Sequence, residues 1–237
     1  MQINIALEGK YENHFIVWAL DFPGCFGYGA DEQEAIIHFP QDFLAYQNWI
    51  NFKAGNHSWV RDIKDFDIRL AERFNNFYVN DQFQIVESQG KLISSWFQND
   101  QKPLNPSEIE QALEILKWSR KDFLDLWDSI PPTAMNIKFQ DERWTIAEIF
   151  KHVANAEWWY LDRLGQTKNR RNELPQHPLE RLAIVRENLV EILPEFEDIE
   201  FVQKVEGEIW SPRKLLRRSI WHEKDHLVHI QKLISLL

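Results

Sequence analysis

The spacing of apolar residues changes near residue 100, and this change limits the chain to a fold with two kinds of secondary structure. Before it, apolar residues alternate with polar ones or form short runs, as in residues 3–7 and 15–20, which is typical of strands. After it, apolar residues recur every three or four positions over long stretches, which predicts helices. We therefore expect an α+β protein with a small α/β domain over residues 1–100 and a helical domain over residues 101–237.

Four helical segments in the second part begin at recognisable capping residues or first-turn prolines. The predicted helices cover about residues 105–130, 145–164, 178–194 and 211–237. Their starts are marked by Asn105-Pro106-Ser107 with Glu110, by Thr145 with Glu148, by Pro178, and by Ser211 with Pro212. The connections between them are fairly short, which favours an antiparallel four-helix bundle.

The first part combines strands with one helix. Glycines and a proline crowd residues 21–29, which indicates tight turns around a short strand. Asp31 with Glu34 forms a capping box for a helix that reaches about residue 50, and Pro40 should kink or divide this helix. Further strands are predicted around residues 67–77, 83–87 and 92–97.

Charge and composition exclude several classes of protein. The net charge is −10, and residues 1–100 hold 7 Lys and Arg against 14 Asp and Glu. Nucleic-acid binding needs a basic surface, so we expect no nucleic-acid partner. An acidic first part suits a basic protein partner, or it only keeps the protein soluble. With no signal peptide and no apolar run of about 20 residues, we expect a cytoplasmic protein outside the membrane.

Histidines in the last two-thirds of the chain form the main candidate site. His222 and His226 lie one helical turn apart at or beside the apolar arc of the fourth helix, so both rings can reach one metal ion. His152 lies at the flank of the apolar arc of the second helix, from which it can join them. Each of these histidines can also be an ordinary hydrogen-bonded side chain.

Polar residues near His152 supply candidate catalytic groups. Glu157 lies in the middle of the apolar arc, where an unpaired carboxylate would be costly. A nearby cation or a hydrogen bond to a histidine would remove that cost, so we expect Glu157 to orient His152 or to act as a base. Tyr160 and Arg163 lie on the same helix and can hold a substrate.

Two segments carry a family resemblance. Residues 144–157, WTIAEIFKHVANAE, and residues 221–230, WHEKDHLVHI, resemble the second-helix and last-helix segments of DinB/YfiT-like metalloenzymes. The resemblance implies a four-helix bundle in which His152, His222 and His226 bind a divalent metal. Many relatives have Arg-Gly-Gln after the second histidine of the pair, whereas this chain has Leu227-Val228-His229. We expect His229 to line the site, although a surface position is the alternative.

A different resemblance covers the first part. Residues 19–35, ALDFPGCFGYGADEQEA, resemble the strand–turn–helix signature of HicB-like antitoxin domains. In that family the domain masks a small toxin and usually precedes a DNA-binding domain. This chain continues into the helical part instead, so the HicB-like domain is expected to bind a protein partner or to serve as a scaffold. Cys25, the single cysteine, is expected to be a small buried residue.

The two resemblances lead to two hypotheses of function. The first is a metal-dependent enzyme, a thiol-dependent transferase or a hydrolase, that acts on a small-molecule substrate or thiol. Its metal would be zinc or nickel, with iron as a further option, because imidazole ligands suit all of these ions. The second is a non-enzymatic protein-binding module with a structural or vacant metal site. Relatives of the bundle are often dimers, which implies a homodimer.

Overall fold

The computed structural model describes residues 1–12 and 14–237. The chain divides into two units, Met1–Lys102 with Lys204–Trp210, and Pro103–Gln203 with Ser211–Leu237. The mixed α+β fold is confirmed, with a sheet in the first part and helices in the second. We expected the second domain to run without interruption from residue 101 to 237, whereas residues 204–210 group with the first unit.

The first unit is built on a four-stranded sheet covered by one helix. Its elements are β1 (Gln2–Tyr11), β2 (His14–Ala19), β3 (Phe26–Gly29), α1 (Glu32–Ala54) and β4 (Asp67–Asn75). The strand order is β3-β2-β1-β4, with β1 antiparallel to β2 and parallel to β4. The buried face of α1 carries Phe39, Phe43 and Ile50, and the helix packs on β2 and β3.

Two smaller sheets complete the strands. The first contains β5 (Phe77–Val79), β6 (Ile85–Val86) and β7 (Lys91–Ile93) in the order β6-β5-β7. The second is a hairpin of β8 (Gln203–Val205) and β9 (Glu208–Trp210). The predicted strands over 83–87 and 92–97 are therefore shorter than expected or shifted towards the N-terminus.

Pro40 does not divide α1, contrary to our expectation. The helix runs without interruption from Glu32 to Ala54, and Asp31 caps it by accepting a hydrogen bond from the backbone N–H of Glu34. Phe39 and Phe43 on either side of the proline are fully buried. Their burial holds the helix together through the position at which Pro40 cannot donate a hydrogen bond.

The second unit contains four long helices whose bounds agree closely with the predicted ones. They are α2 (Pro106–Ser129), α3 (Ile146–Arg163), α4 (Pro178–Ile192) and α5 (Pro212–Ile234). Thr145 and Glu148 form the expected capping box, and Ser211 accepts a hydrogen bond from the backbone N–H of Lys214. The first helix is capped by Asn105 with Glu108, and not by the expected Ser107 with Glu110.

The bundle is not antiparallel throughout, which corrects our expectation. Two contacts show that α2 and α5 run in the same direction. Arg213 binds Glu108 near the start of both helices, and Ser119 donates a hydrogen bond to Glu223 further along both helices. The helices α3 and α4 also run together. The amide of Asn155 bonds Arg181 near the start of α4, and the backbone of Gln166 bonds Asn188 near its end.

The connection between α3 and α4 explains this arrangement. Residues 164–177 return along the bundle from the end of α3 to its first turns, where Lys151 donates a hydrogen bond to Gln176. A segment of this length can extend for about 45 Å, whereas α3 itself spans only about 27 Å. The connection is therefore long enough for α4 to start again at the same end as α3.

Aromatic residues fill the core near the start of α3. The rings of Phe123 and Phe150 are 4.3 Å apart between centroids, and Trp127 packs edge-on against Phe150 at 4.8 Å. Ile230 and Leu233 of α5 belong to the same cluster of buried residues. Among the described residues, no helix has the length and apolar character needed to cross a membrane.

We predict that Gly29→Ala lowers the free energy of unfolding by about 3 kcal/mol, because the new Cβ must push α1 away from β3. That Cβ would lie 2.2 Å from the backbone nitrogen of Ala35 and 2.6 Å from its Cα. Gly55→Ala is the control, since its Cβ meets nothing within 4 Å and only the positive φ of 55° opposes it. The control should cost about 1 kcal/mol. Urea unfolding that shows equal losses for both variants would contradict the close contact.

Candidate metal centre

The helices α3 and α5 bring three histidines together. His222 and His226 lie one turn apart on α5, with ring centroids 4.5 Å apart. The ring centroid of His152 on α3 is 4.9 Å from that of His222 and 5.1 Å from that of His226. One nitrogen from each ring can be chosen so that all three lie within 4.8 Å of one another. The structure thus places the three predicted ligands in a single cluster that could hold a metal ion.

The chemistry of the cluster fits a transition-metal ion. Two nitrogens bound to one ion at 2.0–2.1 Å are at most about 4.2 Å apart, so only a small rotation of the rings is needed. The buried Nδ1 of His226 has no hydrogen-bond partner among the described residues. A buried polar atom without a partner costs about 1–3 kcal/mol, and a metal ligand bond is one way to remove that cost.

Burial keeps all three imidazoles neutral at physiological pH. Burial, and to a smaller extent Arg143, lowers the pKa of His152 to about 4. Burial and the neighbouring His152 lower the pKa of His226 to about 3. Burial and then His226 hold the pKa of His222 well below its usual value. A neutral imidazole is the form that binds a metal, so no proton has to be removed first.

Aromatic side chains form the surroundings of the cluster. The ring of Trp144 stacks on His152 with centroids 4.2 Å apart and an interplanar angle of 25°. The guanidinium of Arg143 lies over the ring of Trp144, 4.7 Å from its centroid. Tyr160 is buried, and its ring centroid is 6.2 Å from that of His222. The stack fixes the orientation of His152, and Tyr160 lies beside the cluster.

The side chain of His229 lies next to the cluster. Its ring centroid is 5.8 Å from that of His226, and its Nε2 is 3.1 Å from the carboxylate of Glu142. Glu142 precedes α3, so this contact joins the residues before α3 to α5. Arg163, in contrast, donates a hydrogen bond to Asp162 and packs over the ring of Trp159 at 5.0 Å.

Of the two partners expected for Glu157, a nearby cation is present, but among the described residues no histidine bonds it, so it does not orient His152. Its side chain is buried, and Oε1 accepts a hydrogen bond of 2.9 Å from Nε of Arg186. Its Oε2 accepts hydrogen bonds of 2.7 Å from Arg186 and 3.2 Å from Arg120. The charge that compensates this carboxylate therefore comes from two arginines, and both oxygens are already engaged.

These residues belong to a buried charge quartet formed by Arg120, Glu157, Arg186 and Glu223, one from each helix of the bundle. Glu223 accepts hydrogen bonds from Arg120 at 2.6 Å and from Arg186 at 3.2 Å. Burial alone would raise the pKa of Glu223, but Arg120 and Arg186 lower it overall. Burial alone would lower the pKa of Arg186, but Glu157 and Glu223 raise it. Glu223 and Arg186 therefore stabilise each other in their charged forms.

The positions of Arg120 and Arg186 in the sequence indicate that both arginines are buried. Arg186 lies four residues after Leu182 and three before Leu189, which are both buried residues of α4. Arg120 lies between the buried Leu116 and Phe123 in the same way. A charged residue inside an apolar stripe requires a buried partner of opposite charge. Two such arginines therefore match the two inward-facing glutamates.

Comparison with sequence models of protein families gives a match in the helical part of the chain. Residues 115–230 match the sequence model of the DinB superfamily, and this segment contains all three histidines. The chain is also similar to the crystal structure of TT2238, described as a four-helix bundle protein. The two are 26% identical over 52% of this chain and 98% of that chain, with a TM-score of 0.41. No match was found among curated proteins. Residues 115–230 thus form a DinB superfamily domain.

We predict that Glu157→Gln lowers the free energy of unfolding by about 3–5 kcal/mol, because it leaves buried guanidinium charge without its full partner. Asp125→Asn is the control. Its carboxylate pairs with Lys121 at 2.6 Å on the exposed side of α2, where solvent screens the interaction. We expect no measurable change in that variant. Denaturant unfolding with similar midpoints for the two variants would contradict the importance of the quartet.

We predict that the metal-free protein loses stability as the pH falls from about 7 towards 5. The folded-state pKa values of His152 and His226, about 4 and about 3, lie below the value of 6.5 expected for an unfolded chain. Below pH 6.5 the unfolded state therefore binds protons that the folded state does not, which favours unfolding. A His152→Asn/His226→Asn variant should show a smaller change between these pH values. An equal change in both proteins would contradict the buried neutral histidines.

Proposed function

We propose that the second unit binds one divalent transition metal through His152, His222 and His226 and acts as a metal-dependent enzyme. The observation that carries the proposal is the convergence of three neutral imidazoles from two helices, with a nitrogen of His226 that has no other partner. Three protein ligands are typical of catalytic sites, because they leave coordination positions for water or substrate. Zinc and nickel are the first candidates and iron is the third.

The bound metal would supply a Lewis acid that lowers the pKa of a coordinated water or thiol. The protein supplies the rest of the site. His222 and His226 are held at a fixed spacing by α5, and Trp144 fixes the ring plane of His152. Tyr160 supplies a hydroxyl group on the same side of the bundle as His222, where it can orient a substrate.

The reaction class that we propose is a thiol-dependent transfer, with hydrolysis as the alternative. The match of residues 115–230 to the DinB superfamily supports it, because the resemblance of the two histidine segments implies this chemistry. Glu157 is not proposed as a catalytic base, since both of its oxygens accept hydrogen bonds from arginines. Tyr160 remains the candidate residue for contact with the substrate.

A protein-binding role for the first unit is the second proposal. It is supported by the excess of acid in residues 1–100, where 14 Asp and Glu outnumber 7 Lys and Arg. The excess of acid suits a basic partner, and the resemblance of residues 19–35 to HicB-like domains implies a small one. Purification of the full chain from its native cells should then recover a stoichiometric basic protein. Recovery of the chain alone would argue against this role.

The metal site is tested by elemental analysis of the protein purified without a histidine tag. We predict about one equivalent of a transition metal per chain, as one three-histidine site requires. His226→Ala and His222→Ala should each lose most of this metal, because two imidazoles bind an ion more weakly than three. His57→Ala is the control, since His57 is an exposed histidine outside the cluster.

Activity is then measured with the metal that the analysis identifies. Transfer of a low-molecular-weight thiol to an electrophile should be detected in the parent protein and lost in His226→Ala. Metal content that is unchanged in His226→Ala would overturn the ligand assignment. If the protein holds its full metal content but shows no thiol-dependent or hydrolytic turnover, the ligand assignment stands and the proposed reaction is overturned.

A further inference from the structure

Arg143 places a positive charge beside the candidate metal centre. Its guanidinium lies 4.7 Å from the ring centroid of Trp144, and that ring stacks on His152 at 4.2 Å. The Cζ atom of Arg143 is therefore at most about 9 Å from the ring centroid of His152, which is the sum of the two distances. Burial is the main cause that lowers the pKa of His152, and the charge of Arg143 adds to it. The guanidinium is thus close enough to act on a group bound at the three histidines.

The hydrogen-bond donors of Arg143 are not used by the protein itself. The residue is exposed, and its guanidinium donates no hydrogen bond and forms no ion pair with any described residue. A guanidinium carries five N–H donors in a planar fork that matches the two oxygens of a carboxylate. The contact with Trp144 holds this fork in place, so less side-chain freedom is lost when a carboxylate binds to it.

Two carboxylates close to Arg143 along the chain bind other groups. Oε1 of Glu142 lies 3.1 Å from Nε2 of His229. Oε2 of Glu148 accepts a hydrogen bond of 2.9 Å from the backbone N–H of Thr145. Neither carboxylate pairs with Arg143, so its positive charge remains available to an anion that binds at the site.

The charge of the rest of the protein makes a local cation useful here. The net charge of the chain is −10, which repels an anion that approaches from solvent. The imidazoles offer no compensation, because the pKa values of His152 and His226, about 4 and about 3, keep them neutral. After burial and the neighbouring histidines, Arg218 also lowers the pKa of His222. Arg218 is only 2% exposed, however, whereas Arg143 is open to solvent.

We propose that Arg143 binds the carboxylate of a low-molecular-weight thiol whose sulfur lies at the three histidines. This inference rests on the thiol-dependent function proposed above and specifies its substrate as an anionic thiol. The sulfur and the carboxylate would hold the molecule at two points, which fixes its direction relative to the histidines. Arg143 is thus assigned as a recognition residue that touches the substrate and leaves the metal ligands unchanged.

Binding of matched thiols to the cobalt-loaded full chain tests this role without any turnover. Mercaptopropionate and mercaptopropanol differ in the charge of the end remote from sulfur, and mercaptohexanoate with mercaptohexanol repeats the comparison over a longer span. The charge-transfer absorption of a thiolate bound to Co(II) reports the binding of each. We expect the parent to bind the carboxylate about 10-fold more tightly than the alcohol in at least one pair, as one charge-assisted contact allows. The preference should decrease as salt is added, because the contact lies near solvent.

Substitution of Arg143 separates recognition from metal binding. Arg143→Gln should bind that carboxylate about 10-fold more weakly than the parent and the matching alcohol with unchanged affinity, since the three ligands are retained. Arg143→Lys should recover part of the preference, because it keeps the charge and loses the planar fork. Lys117→Gln is the matched control, since it removes one positive charge from the exposed side of α2, where Lys117 pairs with Glu114 at 3.4 Å. It should keep the full preference.

The outcomes distinguish this inference from the function on which it rests. Equal affinities for acid and alcohol in both pairs would overturn the role of Arg143 but not the thiol-dependent function. A carboxylate affinity of Arg143→Gln that equals the affinity of the parent would have the same consequence. If no thiol produces a charge-transfer absorption in the cobalt-loaded parent, the thiol-dependent function is overturned together with this inference.

Discussion

The second unit depends on the buried charge quartet, in which each of the four helices contributes one charged side chain. Two carboxylates and two guanidinium groups satisfy one another away from water, and the loss of any member would leave a buried charge. Arg120 and Arg186 also donate hydrogen bonds to the backbone carbonyls of Leu182 and Leu116, so α2 and α4 are held in one register. A bundle of apolar stripes alone could slide, whereas this arrangement permits a single alignment of the helices.

The alignment of the helices determines where the histidines meet. Glu223 follows His222 directly on α5, and Glu157 lies five residues after His152 on α3. Consecutive residues of a helix point about 100° apart, so α5 can present His222 to α3 and Glu223 to the arginines. The charged groups therefore fix the alignment of the helices, while the neutral imidazoles remain available as ligands. Buried polar groups are often retained because they specify one structure, and we infer that role here.

Much of this arrangement could be predicted from the sequence, because it rests on local patterns. The helix starts at Thr145 and Ser211 depend on neighbouring residues, and the histidine spacing on α5 depends on the helical turn. The direction of α4 could not be predicted in this way, because apolar periodicity does not say which neighbour a helix packs against. The partner of Glu157 was missed for a similar reason, since Arg186 lies on another helix and 29 residues away along the chain. Strands of two or three residues, such as β6, are too short to show an alternating pattern.

X-ray absorption spectroscopy of the metal-loaded protein tests the central claim most directly, since it reports the type and number of atoms bound to the metal. The three-histidine site predicts imidazole nitrogens about 2.0–2.1 Å from the metal and the multiple scattering of three imidazole rings. Oxygen or nitrogen atoms of other ligands should fill the remaining coordination positions. His226→Ala, if it retains any metal, should show one imidazole fewer. A spectrum with one imidazole or none in the parent protein would contradict the claim that His152, His222 and His226 bind one ion.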